Sequence, residues 1–193
     1  MNLFTSDSEK SLADAVAAGS TAVSIDPDNG IVPSALGLGA FLAGDSARAQ
    51  ASFERAAAMY RAPGPLATLR WFFNTQGRYT EALAPLEEAA TRVPRANPAD
   101  AYLQLAVAHF GLGRDDEALR NGELALQLGS DPVAHGLVAC ILGHFGRIDA
   151  AQRELARVPP LRLRDVDELF QRLFQRPLLD RVLAGLRLAG MPE

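Results

Sequence analysis

The stretch TQGRYTEALAPLEEA, residues 75–89, decides the fold, because three other stretches of the chain share its pattern. They are LAGDSARAQASFERA (42–56), GLGRDDEALRNGELA (111–125) and HFGRIDAAQRELARV (144–158). Each contains a turn glycine, and intervals of 33, 36 and 33 residues separate these glycines, which are Gly44, Gly77, Gly113 and Gly146. A recurring interval near 34 residues predicts an array of helix–turn–helix repeats.

Positions around each glycine also recur. The fifth position after it is always alanine: Ala49, Ala82, Ala118 and Ala151. The ninth position after the glycine is a larger apolar residue in three repeats, Phe53, Leu86 and Leu155, and Gly122 is the exception. The position seven residues before the glycine is normally small, but in the second repeat it is Arg70. Small residues fit where two helices approach closely. Apolar stripes on such short helices are buried only when neighbouring pairs stack.

On these residues, the chain resembles the tetratricopeptide-repeat (TPR) family over roughly residues 10–160. The resemblance implies an all-α fold, a right-handed α-solenoid of antiparallel helix pairs called a TPR superhelix. The alternative is a helical bundle without repeats. The four helix–turn–helix stretches, which we call the repeat corners, keep the same register along the chain. This regularity favours the solenoid.

The repeat spacing and the prolines between repeats predict the domain organisation. An N-terminal half-repeat at 1–29 precedes four repeats, at 30–62, 63–98, 99–131 and 132–160, and capping helices follow at 161–193. The half-repeat matches only the second helix of a pair. Either the first repeat is half a repeat, or the sequence starts inside a longer protein.

The tail LDRVLAGLRLAGMPE, residues 179–193, carries a second resemblance. It is similar to the end of TPR modules in many bacterial class III adenylate/guanylate cyclases and related signalling proteins. The resemblance implies a signalling context and does not imply cyclase activity.

Composition narrows the function classes. The net charge is -4 and the arginines are scattered, whereas nucleic-acid binding needs a concentrated basic face. No signal peptide and no stretch that spans a bilayer is recognisable, so we expect no membrane partner and a cytoplasmic protein. Cys140 is the one cysteine, which rules out a disulfide within the chain.

Catalytic chemistry is not indicated by any pattern in the sequence. Cys140 and His144 lie four residues apart, on one side of a predicted helix. They are either two metal ligands, a thiolate–imidazole pair, or a groove cysteine beside a turn histidine. A metal site needs further ligands, and we favour the last interpretation. We therefore predict no enzyme, no cofactor and no metal.

The TPR resemblance implies a concave groove lined by the first helix of each repeat. The lining predicted in this register is Leu38, Phe41, Leu42, Ala67, Trp71, Asn74, Thr75, Leu103, Val107, Phe110, Gly136, Cys140 and His144. This apolar, aromatic lining suits a partner helix or an extended apolar peptide. It lacks the Lys and Arg with which some family members clamp a carboxylate.

We therefore predict a non-catalytic protein-interaction module. Two alternatives are a regulatory domain of a signalling enzyme such as a nucleotide cyclase, and a scaffold that self-assembles as a homodimer through the N-terminal half-repeat. Whether the groove is open or filled by the chain's own C-terminal helix stays undecided at this stage.

Overall fold

A computed structural model describes residues 31–59, 63–92, 98–129, 131–171 and 173–193. These residues form ten α-helices and no β-strand, which confirms the all-α prediction. The half-repeat predicted at 1–29 lies outside the described residues. The helices are α1 (Ile31–Leu42), α2 (Ser46–Met59), α3 (Pro63–Thr75), α4 (Tyr79–Arg92), α5 (Pro98–Gly111), α6 (Asp115–Leu128), α7 (Pro132–His144), α8 (Ile148–Leu155), α9 (Leu163–Phe170) and α10 (Arg176–Leu188).

The chain divides into two compact units, Met1–Leu69 and Arg70–Glu193. In the first unit, α1 packs on α2, and the contact depends on Gly37. A Cβ atom at Gly37 would lie 2.5 Å from the ring of Phe53, which is fully buried. The small residue thus lets the aromatic ring fill the space between the two helices.

In the second unit, each helix from α4 to α7 packs against the next one along the chain. The last helix, α10, packs against α9 and also returns to pack against α7. The core contains the recurring alanines Ala118 and Ala151, which are fully buried. Sequential packing of short helix pairs is the repeat architecture that the 34-residue interval predicts.

All four repeat corners have the same backbone geometry. The turn glycines adopt positive φ angles: Gly44 (81°), Gly77 (71°), Gly113 (73°) and Gly146 (67°). In each corner, the N–H of the residue after the glycine donates to the carbonyl five residues earlier, as Arg114 does to His109 at 2.9 Å. This is the helix-ending Schellman motif, in which glycine is favoured because it has no Cβ penalty.

Two departures from the repeat pattern have physical explanations. Gly122 replaces a larger apolar residue because Val138 already fills the space, and a Cβ atom at Gly122 would lie 2.7 Å from Val138 Cγ2. Arg70 is buried where a small residue is usual. Burial lowers the pKa of its guanidinium, while the charges of Asp100 and Glu88 act in the opposite direction.

Candidate functional site

Four of the groove positions predicted in the second unit contact the chain's own C-terminal segment: Thr75, Phe110, Cys140 and His144. We call the α3, α5 and α7 surface that includes Thr75, Phe110, Cys140 and His144 the inner face. In this structure α10 and its N-terminal flank lie on the inner face. At these residues, therefore, the groove is not open but is covered by the chain's own C-terminal helix.

Helices α7 and α10 approach each other at two glycines. A Cβ atom at Gly185 would lie 2.5 Å from the carbonyl oxygen and the Sγ of Cys140. A Cβ atom at Gly143 would overlap the carbonyl oxygen of Gly185, which is backbone and has no flexible end to move aside. The two helices therefore pack backbone against backbone, which only small residues permit.

Cys140 and His144 both interact with the main chain of α10. His144 Nε2 donates a hydrogen bond to the Arg181 carbonyl oxygen at 2.9 Å, and Cys140 Sγ lies 4.0 Å from the same oxygen. Burial raises the pKa of the Cys140 thiol far above its usual range. This placement fits the interpretation of a cysteine beside a turn histidine, since a neutral buried thiol is a poor nucleophile.

Arg181 connects α10 to two further helices. Its guanidinium carbon lies 4.0 Å from the ring centroid of Phe110, and the same group donates to the Phe110 carbonyl oxygen. Its Nη2 lies 2.6 Å from both carboxylate oxygens of Asp115, at the start of α6. Arg181 thus combines a cation–π contact with an ion pair, and both are shielded from water in part.

The α10 flank reaches the end of α3 as well. Gln175, which precedes α10, donates from Nε2 to the Thr75 carbonyl oxygen at 3.3 Å. Thr75, Phe110 and His144 lie near the ends of three helices, α3, α5 and α7. The C-terminal segment therefore reaches all three of these helices rather than only the last one.

The other predicted groove residues differ in exposure. In the first unit, Leu38 and Leu42 are exposed and Phe41 is half-buried. The side chain of Ala67, in α3, lies outside the described residues. In the second unit, the half-buried residues are Trp71, Val107, Gly136 and His144, and the buried ones are Asn74, Thr75, Leu103, Phe110 and Cys140. Asn74 directs its amide to Gln104, donating to its carbonyl oxygen at 2.9 Å.

An apolar cavity of about 260 Å³ lies between the inner face and the C-terminal helices. Among the described residues that line it, none has a polar or charged side chain. The lining comes from α5 (Val107, Phe110), α7 (Pro132, Val133, Gly136, Leu137), α9 (Val166, Leu169, Phe170), α10 (Leu178, Leu179, Val182, Leu186) and the residues Val158, Pro159, Leu161, Phe174 and Met191.

Sequence reasoning did not identify the residues that hold α10 in place. Gly143, Arg181 and Gly185 match no catalytic or ligand-binding motif. The available signal was the pair of glycines inside predicted helices, because a helical glycine costs about 1 kcal/mol relative to alanine and needs a reason. In the described part of the chain, no three His, Cys, Asp or Glu residues are grouped so that they could hold a metal ion.

No family model matches the chain, and no curated protein does either. Solved structures do match. PilW, a widely conserved type IV pilus biogenesis factor, is 18% identical with a TM-score of 0.74, over 93% of this chain and 82% of PilW. PilF of Pseudomonas aeruginosa is 19% identical with a TM-score of 0.73, over 93% of this chain and 83% of PilF.

A third structure, a double mutant of MamA from RS-1, is 16% identical with a TM-score of 0.64, over 78% of this chain and 83% of MamA. At these identities the likeness shows the fold alone. The chain thus has the TPR fold, an α-solenoid of helix pairs. Over the described residues, no helix combines the length and apolar character needed to cross a membrane.

We expect Arg181→Ala to loosen α10 from the inner face. The variant loses the Asp115 ion pair and the Phe110 contact, and Cys140 beneath α10 should then react about tenfold faster with a thiol reagent, which corresponds to about 1.4 kcal/mol. The measurement is the rate of Cys140 labelling under native conditions. Arg187→Ala is the control, since Arg187 on the same helix is exposed and pairs with Glu193. Equal rates in both variants would contradict the prediction.

Proposed function

We propose that the chain is a non-catalytic protein-interaction module that binds a partner helix on its inner face. The observation that supports the proposal is α10 itself. This helix already lies on the inner face, with its backbone hydrogen bonds satisfied internally and a small residue at the closest contact. A surface that accommodates one helix in this way suits a second helix of similar chemistry.

The chemistry of the inner face favours a helix over an extended peptide. An extended peptide presents a free N–H and C=O at each residue, and these groups need partners in the groove. The described groove positions are largely apolar, and the Asn74 side-chain amide already donates to Gln104. A helix makes no such demand, because its main-chain groups bond to one another.

Binding of the partner and docking of α10 are then alternatives. We infer that the partner helix carries a small residue where α10 has Gly185, and a cation where α10 has Arg181. The small residue allows close approach to Gly143, and the cation replaces the contacts with Phe110 and Asp115. PilW is a type IV pilus biogenesis factor, and we do not carry that role over to this chain.

A photo-crosslinking amino acid at Val107, on the inner face, tests the proposal. In cells that encode the protein, we expect crosslinks to a helical segment of a partner, in a yield that rises in the Arg181→Ala background. The control position is Arg120, which is exposed on α6. Crosslinks with equal yield at both positions, or a yield that does not respond to Arg181, would sink the proposal.

Three finer inferences stay predictions. The signalling context rests on the resemblance of residues 179–193, which form most of α10. The cytoplasmic location rests on composition. The homodimer rests on residues 1–29, outside the described part of the chain. Sedimentation at several protein concentrations tests the homodimer.

A further inference from the structure

We propose that the cavity beneath α9 and α10 is a binding site for a single alkyl chain, such as that of a free fatty acid. The proposal goes beyond the partner helix and rests on the docked position of α10, because Leu178, Leu179 and Val182 of that helix form part of the cavity wall.

The lining excludes polar occupants. In the described part of the chain, the side chains that face the cavity are aliphatic or aromatic, apart from the thioether of Met191, and Gly136 contributes no side chain. A peptide backbone or a sugar placed there would lose its hydrogen bonds to water and gain none in return. A hydrocarbon loses nothing polar and gains dispersion contacts with the walls.

The size of the cavity accommodates an alkyl chain. The cavity has about 260 Å³, and α9 and α10 supply residues to its outer wall. An apolar cavity of about 150 Å³ is already large enough to bind benzene. A flexible alkyl chain is therefore the occupant that fits this volume without displacement of α10.

The cavity has an apolar entrance. Val133 at the start of α7 is 52% exposed and Leu169 in α9 is 45% exposed, yet both belong to the lining. These exposed side chains mark the part of the wall that meets the solvent. A single chain can enter between them, with its carboxylate left in water.

Gly136 offers a substitution that fills the cavity without disturbing its walls. The nearest atom to a Cβ at Gly136 is Val158 Cγ2, at 3.9 Å, which is ordinary van der Waals contact. A leucine there should extend into the empty volume. The matched control is Gln127→Leu, which adds the same side chain at an exposed position on α6.

The experiment is calorimetric titration of the full chain with sodium dodecanoate below its micellar concentration. We expect saturable 1:1 binding that weakens at least tenfold in Gly136→Leu and changes less than twofold in Gln127→Leu. Affinity should rise about fourfold per methylene from hexanoate upward and level off when the cavity is full. Adsorption to the surface would give neither the 1:1 stoichiometry nor the plateau.

Val133→Asp is the second variant, and it keeps the test decisive if Gly136→Leu does not fold. A carboxylate at the exposed entrance should also weaken binding of dodecanoate at least tenfold, while circular dichroism stays unchanged. The proposal is overturned if wild type shows no saturable binding, or if a folded variant of either kind binds as wild type does. Binding to phosphatidylcholine vesicles without binding of dodecanoate also overturns it.

Discussion

Gly143→Ala is expected to detach α10 from the inner face and to destabilise the protein, although alanine is the better helix former. The added methyl group would overlap the Gly185 carbonyl oxygen, so the two helices must separate. Overpacking of this kind costs about 1–3 kcal/mol, which exceeds the gain of up to about 1 kcal/mol from helix propensity. Thermal unfolding and the labelling rate of Cys140 are the measurements.

A matched control lies about two turns earlier on the same helix, α7. Gly136→Ala places its methyl group in ordinary van der Waals contact, 3.9 Å from Val158 Cγ2, and should stabilise the protein by about 0.5–1 kcal/mol. Both substitutions replace glycine with alanine in the same helix, but the expected changes in the free energy of unfolding have opposite signs. If both stabilise the protein, α10 does not pack on the α7 backbone in solution.

Phe110→Ala should cause the largest loss of stability among the changes considered, about 3–5 kcal/mol. The ring is fully buried, lies 5.7 Å from the His144 ring by centroids, and forms part of the cavity wall. Its removal would enlarge an existing cavity, and the surrounding helices have little freedom to collapse. Urea unfolding gives the change in the free energy of unfolding.

Phe145→Ala provides the comparison, because Phe145 is 37% exposed at the corner that follows α7. Its ring contacts Arg147 at 5.4 Å from the guanidinium carbon. We expect its loss to cost less than about 1 kcal/mol, as is usual at exposed positions. A Phe110→Ala cost as small as that of Phe145→Ala would mean that Phe110 is not buried beneath α10.

The repeat corners were predictable because their determinants are local. A glycine that must adopt positive φ, an alanine five residues later and an apolar stripe are all read within one repeat. The observed φ angles and buried alanines at Gly113 and Ala118 follow from that pattern. The fold class is confirmed for the same reason, while the repeat boundaries and the binding role of the groove stay predictions.

The docking of α10 was not predictable in the same way. Its contacts join residues 37, 66 and 100 positions apart, as in His144–Arg181, Asp115–Arg181 and Thr75–Gln175. No periodicity encodes such pairs. The sequence predicts only that residues 161–193 cap the last repeat, and it leaves the extent of the cap open. Gly143 and Gly185 determine where α10 packs on α7, because neither residue has a side chain to keep the two backbones apart.

The return of α10 has a consequence for biosynthesis. Neighbouring helix pairs can form while the chain is still being made, because their contacts are local. The inner face receives its cover only when α10, which follows α3, α5 and α7 along the chain, leaves the ribosome. Until then an apolar surface that includes Phe110 is open to water, and a chaperone or a waiting partner helix meets it before α10 does. The order of synthesis therefore gives an external helix the first opportunity to bind.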